Sequence, residues 1–285
     1  MDPATPGYGD LGRQRLYVGL DRPDDPRLIL ENAEKVADAH GPDHVFDYLY
    51  RHARAPQAPR EVWTRQVLVA TCVGFILQDF FARESPSSVR SLFAPDAATQ
   101  AARAMSSPRG VLALTFHGGF AALLPHFFID FLDDSLVIDL KTRKRFGSVG
   151  ADDPGAALFG ALCALRDGRS VYLAPDGPLG KLTERIQVLG VSRPVSDSAA
   201  FLAFETSCDT VWYDMRRNGR LLVPVAEPGP SRAPGETFKE FRMRLMEFYR
   251  SKIEEHFTGD PQNLAVCEAW RWSLKQAMRE EARAR

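Results

Sequence analysis

The spacing of apolar positions changes near residue 110. Residues 26–105 carry apolar side chains at helical spacing, in segments that glycine, proline and serine separate. From residue 110, short apolar runs alternate with helical segments, the first of them over 120–132, and the chain becomes helical again over 235–285. This alternation predicts an α/β fold with a mostly parallel sheet covered by helices, a helical N-terminal cap and C-terminal helices.

The same pattern sets the predicted domain organisation. Residues 1–25, rich in proline, glycine and aspartate, are expected to form a flexible arm, and residues 26–285 a single α/β domain. Within that domain we expect the helical cap over 26–105, the core over 106–225 and the C-terminal helices over 235–285. The predicted strands are "GVLALTF", "SLVIDL", "SVYLAP", "CDTVWYDMRR" and "GRLLVPV", with a loop between "SVYLAP" and the helical "SDSAAFLAFETS".

Composition narrows the class of protein. Hydrophobic residues make up 45% of the chain and charged residues 26%, with a formal net charge of −1, which argues against a nucleic-acid partner or an anionic membrane surface. The most apolar run, "VLVATCVGFIL", is too short to cross a bilayer, so we expect no stable membrane insertion. The cysteines are widely spaced, which indicates reduced thiols in a cytoplasmic protein, and no metal or cofactor is expected.

Candidate chemistry lies where predicted strands end. In "TFHGGF", a strand delivers His117 to a turn at Gly118 and Gly119, whose flexible backbone leaves amide groups for an oxyanion or an acidic ligand. A neutral imidazole there suits a general base. The alternative is a structural histidine that is hydrogen-bonded at the end of a strand.

Two further junctions add charged groups. Asp176 follows the strand "SVYLAP" and precedes Gly177, which we expect to take part in substrate binding; an ordinary turn is the alternative for this segment. The basic run "DLKTRKRFGS" also follows a strand, and it predicts either a clamp for a phosphate or sulfate or a solvated surface. The binding residues expected in this run are Lys141, Arg143, Arg145 and Ser148.

The order and spacing of these segments resemble the lysophospholipid acyltransferase superfamily, and within it the lipid A biosynthesis (lauroyl/myristoyl) acyltransferases. The resemblance covers about residues 105–225 and continues through "VLGVSRPVSDSAAFLAFETSCDTV". It implies acyl transfer with His117 as the base, a small-molecule substrate, and an acyl-CoA or acyl-carrier protein as donor. The family places an acidic residue at the fifth position after the histidine, where this chain has Ala122.

Because position 122 is not acidic, the sequence does not identify which residue orients His117. Asp176 is our candidate for that role, and other aspartates remain alternatives: Asp130, Asp152 and Asp153. A second subunit that completes the site is also an open alternative.

Three functions follow from these residues. The first is transfer of an acyl or aminoacyl group to an amine or hydroxyl of a small metabolite, in specialised-metabolite biosynthesis such as antibiotic biosynthesis. The second is base-catalysed elimination or cyclisation of a phosphorylated or sulfated metabolite, which needs the base and the cations but no carboxylate. The third is a non-catalytic scaffold subunit.

Overall fold

A computed structural model describes residues 28–40, 44–53, 58–83, 90–131, 135–137, 154–176 and 184–284. The predicted arm at 1–25 lies outside these residues. The α-helices are α1 (Ile29–His40), α2 (His44–His52), α3 (Arg60–Arg83), α4 (Ala97–Ala104), α5 (Leu124–Phe131), α6 (Pro154–Arg166), α7 (Ser198–Thr206), α8 (Phe238–Thr258) and α9 (Glu268–Ala284). The strands are β1 (Val111–Leu114), β2 (Ser135–Val137), β3 (Ser170–Leu173), β4 (Glu184–Val188), β5 (Val191–Val195), β6 (Asp209–Asn218) and β7 (Leu221–Pro228).

The described chain forms two compact units, each built from separate stretches of sequence. The first takes its described residues from 28–92, 118–120 and 256–284, and the second from 93–117 and 121–255. The predicted bounds of the cap, the core and the C-terminal helices stay predictions.

The second unit contains a five-stranded sheet in the order β2-β3-β1-β6-β7. β1 pairs in parallel with β3 and β6, β2 pairs in parallel with β3, and β7 runs antiparallel to β6. Every residue of β1 and β3 is buried, as expected for central parallel strands whose two faces are covered. The predicted α/β fold with a mostly parallel sheet is confirmed, as are the N-terminal and C-terminal helices.

A second, small sheet occupies part of the segment where the sequence predicted a loop. β4 and β5 pair as an antiparallel hairpin, joined by Leu189 and Gly190 with φ of 51° and 75°. Two consecutive residues with positive φ make the type of tight turn that matches the twist of paired strands. Apolar residues alternate along β4, whereas Arg193 and Pro194 interrupt the alternation in β5. The leucine at the first turn position also departs from the asparagine or glycine that turn rules expect.

The first unit is held together by helix packing and by one buried bond between distant segments. α1 and α2 pack against α3, and α9 packs against α2. The Val266 backbone amide donates to the Thr71 hydroxyl at 3.1 Å, and the ring of Trp270 lies 4.7 Å from that of Phe257.

The segment after His117 is less regular than the sequence predicted. A helix was expected over 120–132, whereas the structure has a 3₁₀ helix at Gly119–Leu123 followed by α5 at Leu124–Phe131. Pro125 lies in the first turn of α5, where its missing amide breaks no helical hydrogen bond. Proline thus accounts for a fresh helix start at this point.

Helix length and polarity also bear on membranes. In the described part of the chain, no helix combines the length and the apolar character needed to span a bilayer.

Candidate functional site

Strand pairing places His117 beside Asp176. In the parallel register of β1 and β3, Leu114 lies opposite Leu173, and the Thr115 amide extends the pairing by donating to the Leu173 carbonyl at 3.1 Å. His117 and Asp176 each follow their paired leucine by three residues. Because parallel strands end at the same edge of a sheet, the two side chains emerge together.

The histidine and the aspartate meet through both backbone and side chain. Nδ1 of His117 lies 3.1 Å from Oδ1 of Asp176, and the His117 amide donates to Oδ1 and Oδ2 at 2.9 and 3.1 Å. The Asp176 side chain is wholly buried, while the His117 side chain is 42% exposed. A buried carboxylate therefore holds a histidine whose ring still reaches solvent.

Hydrogen-bond donors and a cation from three parts of the chain meet the Asp176 carboxylate. Besides His117, the Tyr249 hydroxyl donates to Oδ1 at 3.1 Å, and Nη2 of Arg193 lies 3.5 Å from Oδ2. Burial by itself raises the pKa of this carboxyl, but the hydrogen bonds and charge of His117 and the charge of Arg193 outweigh it, so the pKa lies below its ordinary value of 3.8. Asp176 is therefore ionised at neutral pH and accepts hydrogen bonds only.

Tyr249 reaches the carboxylate from α8. Its hydroxyl also contacts the backbone carbonyl of Thr115 at 3.0 Å, two residues before His117. Burial and the negative charge of Asp176 raise the pKa of Tyr249 well above its ordinary value of 10.0, so the phenol keeps its proton. The ring packs edge-on against Trp212 of β6, with ring centres 5.8 Å apart.

Arg193 reaches the carboxylate from the hairpin that the sequence analysis missed. Nη2 of Arg193 donates to the Asp176 carbonyl at 3.3 Å, and only 11% of its side chain is exposed. The Ser196 amide, just beyond β5, donates to the Pro175 carbonyl at 2.9 Å. The hairpin therefore places a positive charge next to the Asp176 carboxylate and a hydrogen bond on the backbone just before Asp176.

Sequence reasoning named neither Tyr249 nor Arg193. Tyr249 lies within a long, charge-rich helix far from the strand junctions, and no local signal distinguishes it. Arg193 had only an indirect signal, because "ERIQV" alternates in polarity and is followed by a possible turn and strand. Recognition of that hairpin would have placed Arg193 on a strand but not beside Asp176.

The Gly119 amide makes a hydrogen bond within the first unit. It donates to the Ala265 carbonyl at 2.6 Å. Gly119 has φ of +59°, and a Cβ there would lie 2.5 Å from Cε1 of His256. Gly119 therefore serves a close backbone contact within the first unit, and its predicted binding role stays a prediction. The binding role of Gly118 stays a prediction.

The other predicted site residues fall outside the described chain. This applies to the whole expected basic clamp and to the residue after Asp176, namely Lys141, Arg143, Arg145, Ser148 and Gly177. Of the alternative carboxylates, Asp152 and Asp153 also lie outside it, and Asp130 is described by its backbone alone. Among the aspartates considered from the sequence, Asp176 is the one for which the structure gives contacts with His117.

Comparison with known proteins shows a structural likeness but no family match. A scan against protein-family models finds no match, and a search of curated proteins finds none either. Among solved structures, the chain is similar to the crystal structure of the 1-acyl-sn-glycerophosphate (LPA) acyltransferase PlsC from Thermotoga maritima. The two share 12% identity at a TM-score of 0.36, over 81% of this chain and 96% of that one.

Proposed function

We propose that this protein is an acyltransferase that moves an acyl group from a thioester donor to a hydroxyl or amine of a small metabolite. His117 is the general base and Asp176 orients it. The observation that carries the proposal is the 3.1 Å contact between Nδ1 of His117 and a wholly buried, ionised carboxylate.

The contact determines which ring nitrogen acts as the base. An ionised Asp176 accepts hydrogen bonds only, so the favourable neutral form of His117 carries its proton on Nδ1. Nε2 then holds the lone pair and takes a proton from the acceptor. A histidine that served only as a structural donor would not need a ring that is 42% exposed.

The proposed reaction balances in two steps. In the first, Nε2 of His117 takes the acceptor proton as the acceptor oxygen or nitrogen bonds to the thioester carbon; the carbonyl π pair moves to oxygen, which gives a tetrahedral oxyanion, and Asp176 stabilises the imidazolium. In the second, the carbonyl bond forms again as the carbon–sulfur bond breaks, and the imidazolium returns the proton to the departing thiolate. The products are an ester or amide and a free thiol.

In this proposal, Asp176 takes the place of the acidic residue that the chain lacks at position 122. In the acyltransferase superfamily that the sequence resembles, the carboxylate comes from the helix after the histidine, where this chain has Ala122. Here the end of the neighbouring strand supplies it. We further propose that Lys141, Arg143 and Arg145, with Ser148 and Gly177, bind the anionic part of the donor or acceptor.

The direct test is a donor panel. Purified protein is incubated with acyl-CoA and acyl-carrier protein thioesters of different chain lengths and pooled small amines and alcohols, and the released thiol is measured. We expect thiol release that depends on an acceptor and falls by about 10²–10⁴-fold in His117→Ala. The control is His44→Ala, at a histidine whose side chain is 93% exposed, with folding of both variants checked by circular dichroism.

Other outcomes would contradict the proposal. Release of phosphate or sulfate from a substrate without any thioester, and lost in His117→Ala, would indicate elimination instead. Full activity of His117→Ala with any donor would remove His117 from the chemistry. No thiol release across the panel would count against acyl transfer.

A further inference from the structure

The hydroxyl of Tyr249 lies between the two strand ends that form the candidate site. Its oxygen is 3.0 Å from the Thr115 carbonyl and 3.1 Å from Oδ1 of Asp176. A phenol has one proton to donate, so the backbone of β1's end and the carboxylate at β3's end share it. Tyr249 therefore links the segment that carries His117 to the group that orients His117.

The ring of Tyr249 is fixed firmly enough to fill such a role. Tyr249 and Trp212 are both fully buried and pack edge to face. Trp212 also stacks on Phe116, the residue immediately before His117, with ring centres 5.8 Å apart and an angle of 18°. One tryptophan thus supports both the tyrosine and the backbone that delivers the histidine.

Oδ1 of Asp176 faces several hydrogen-bond donors at once, so a further contact is needed to fix its position. It accepts from the His117 amide at 2.9 Å and faces Nδ1 of His117 at 3.1 Å. Three elements bring groups to the carboxylate: His117 comes from the end of β1, Arg193 from β5 and Tyr249 from α8. Of these, Tyr249 brings a hydroxyl donor from a separate element to Oδ1, the same oxygen that meets the imidazole.

We infer that Tyr249 is a positioning residue: its hydroxyl fixes Oδ1 of Asp176 against the end of β1 and so aims the carboxylate at Nδ1 of His117. The kinetic consequence rests on the proposed function, whereas the geometric claim does not. Hydrogen bonds to charged groups are the stronger class in proteins, so the loss of this one should be measurable.

The chain offers a matched control. Tyr213 on β6 is also fully buried, and its hydroxyl has no hydrogen-bond partner among the described residues. Tyr249→Phe and Tyr213→Phe each remove one buried hydroxyl and keep the ring. They differ in whether that hydroxyl touches Asp176.

The first readout needs no substrate. In ¹⁵N-labelled protein, the Nδ1 proton of His117 is observed by NMR and assigned by its absence in His117→Gln. We expect the signal to shift or disappear in Tyr249→Phe and to stay in place in Tyr213→Phe. An unchanged signal in Tyr249→Phe, or the same change in both variants, would overturn the inference.

The second readout uses turnover once a donor is found. Tyr249→Phe should lower kcat about tenfold with KM within about twofold, because the hydroxyl contacts Asp176 rather than substrate. In an Asp176→Asn background, Tyr249→Phe should lower kcat by less than about twofold, because the carboxylate that the hydroxyl positions is absent. Equal losses in both backgrounds would overturn the positioning role.

A measurement on the unmodified chain covers the case in which Tyr249→Phe does not fold. The shared Tyr249 hydroxyl proton should exchange slowly and should move in NMR spectra as His117 titrates; a proton that ignores that titration would overturn the inference. The two proposals fail separately. A shifted His117 signal without thioester turnover would support the positioning role of Tyr249 and contradict acyl transfer. Thioester turnover with an unchanged His117 signal would support acyl transfer and contradict the positioning role.

Discussion

Replacement of Asp176 by asparagine tests the candidate site most directly. Asparagine has nearly the same shape but no charge, and its amide nitrogen donates where the carboxylate accepts. If the asparagine oxygen stays opposite Nδ1 of His117, its amide takes the place of Oδ2. There it faces Nη2 of Arg193, which lies 3.5 Å from Oδ2 in the native protein. Two donors then meet in a buried space.

The expected loss of stability is about 3 kcal/mol. Removing one partner of a buried ion pair typically costs about 3–5 kcal/mol. Arg193 is 11% exposed and loses its counter-charge, which favours the full cost. The His117 contribution is smaller because its side chain is 42% exposed and solvent screens it. The low end of the range is therefore the better figure.

Urea denaturation followed by circular dichroism measures the loss of stability in Asp176→Asn. The pH dependence of that loss has a definite sign. The pKa of Asp176 is lowered in the folded protein, so the native state favours the ionised form. The stabilisation is complete above the ordinary pKa of 3.8 and is lost as the pH falls through the folded-state value. The gap between wild type and Asp176→Asn should therefore be full near neutral pH and shrink in acid.

A surface aspartate provides the control. Asp38 is 59% exposed and pairs with Arg65, so Asp38→Asn should cost less than about 1 kcal/mol. The reasoning would be refuted if Asp176→Asn matched this control in stability. It would also be refuted if the gap between wild type and Asp176→Asn widened as the pH fell below about 4.

Two further predictions concern other parts of the chain. Gly119→Ala should lower the free energy of unfolding by at least about 2 kcal/mol, because its Cβ would lie 2.5 Å from His256. Gly219 has the same φ of +59° but open space around it, so Gly219→Ala is the control. If both variants lost the same free energy of unfolding, the contact with His256 would contribute nothing to the cost of Gly119→Ala. Burial raises the pKa of the Cys72 thiol to about 12, so a thiol reagent should label the half-buried Cys163 before Cys72 in native protein. Mass spectrometry after a short exposure checks the order, and early labelling of Cys72 would contradict the burial.

The regular elements were predictable because their hydrophobic patterns are strong. The helices α1 to α4 and the strands of the large sheet follow directly from apolar spacing and from the glycines and prolines between them. Where the pattern is short or its turn residue is unusual, prediction failed. The β4–β5 hairpin, with leucine at its first turn position, is the example.

The candidate site was predictable in part. His117 and Asp176 stand at strand ends, and the sequence singled out both as candidates. The choice among four aspartates, however, depends on which strands are neighbours, and that order is set by packing of the whole sheet. Arg193 and Tyr249 reach Asp176 from a hairpin and a helix, so their roles depend on tertiary contacts that no local pattern records.

The pairing of β1 with β3 has a consequence for how such a site can change. His117 and Asp176 are 59 positions apart, yet their separation in space is set by two adjacent strand ends. Insertions or deletions in the intervening chain leave both ends in place as long as the strands stay paired. A search for a histidine and an acid at a fixed short interval therefore passes over this arrangement. A search by neighbouring strand ends, tolerant of any length between them, would find it.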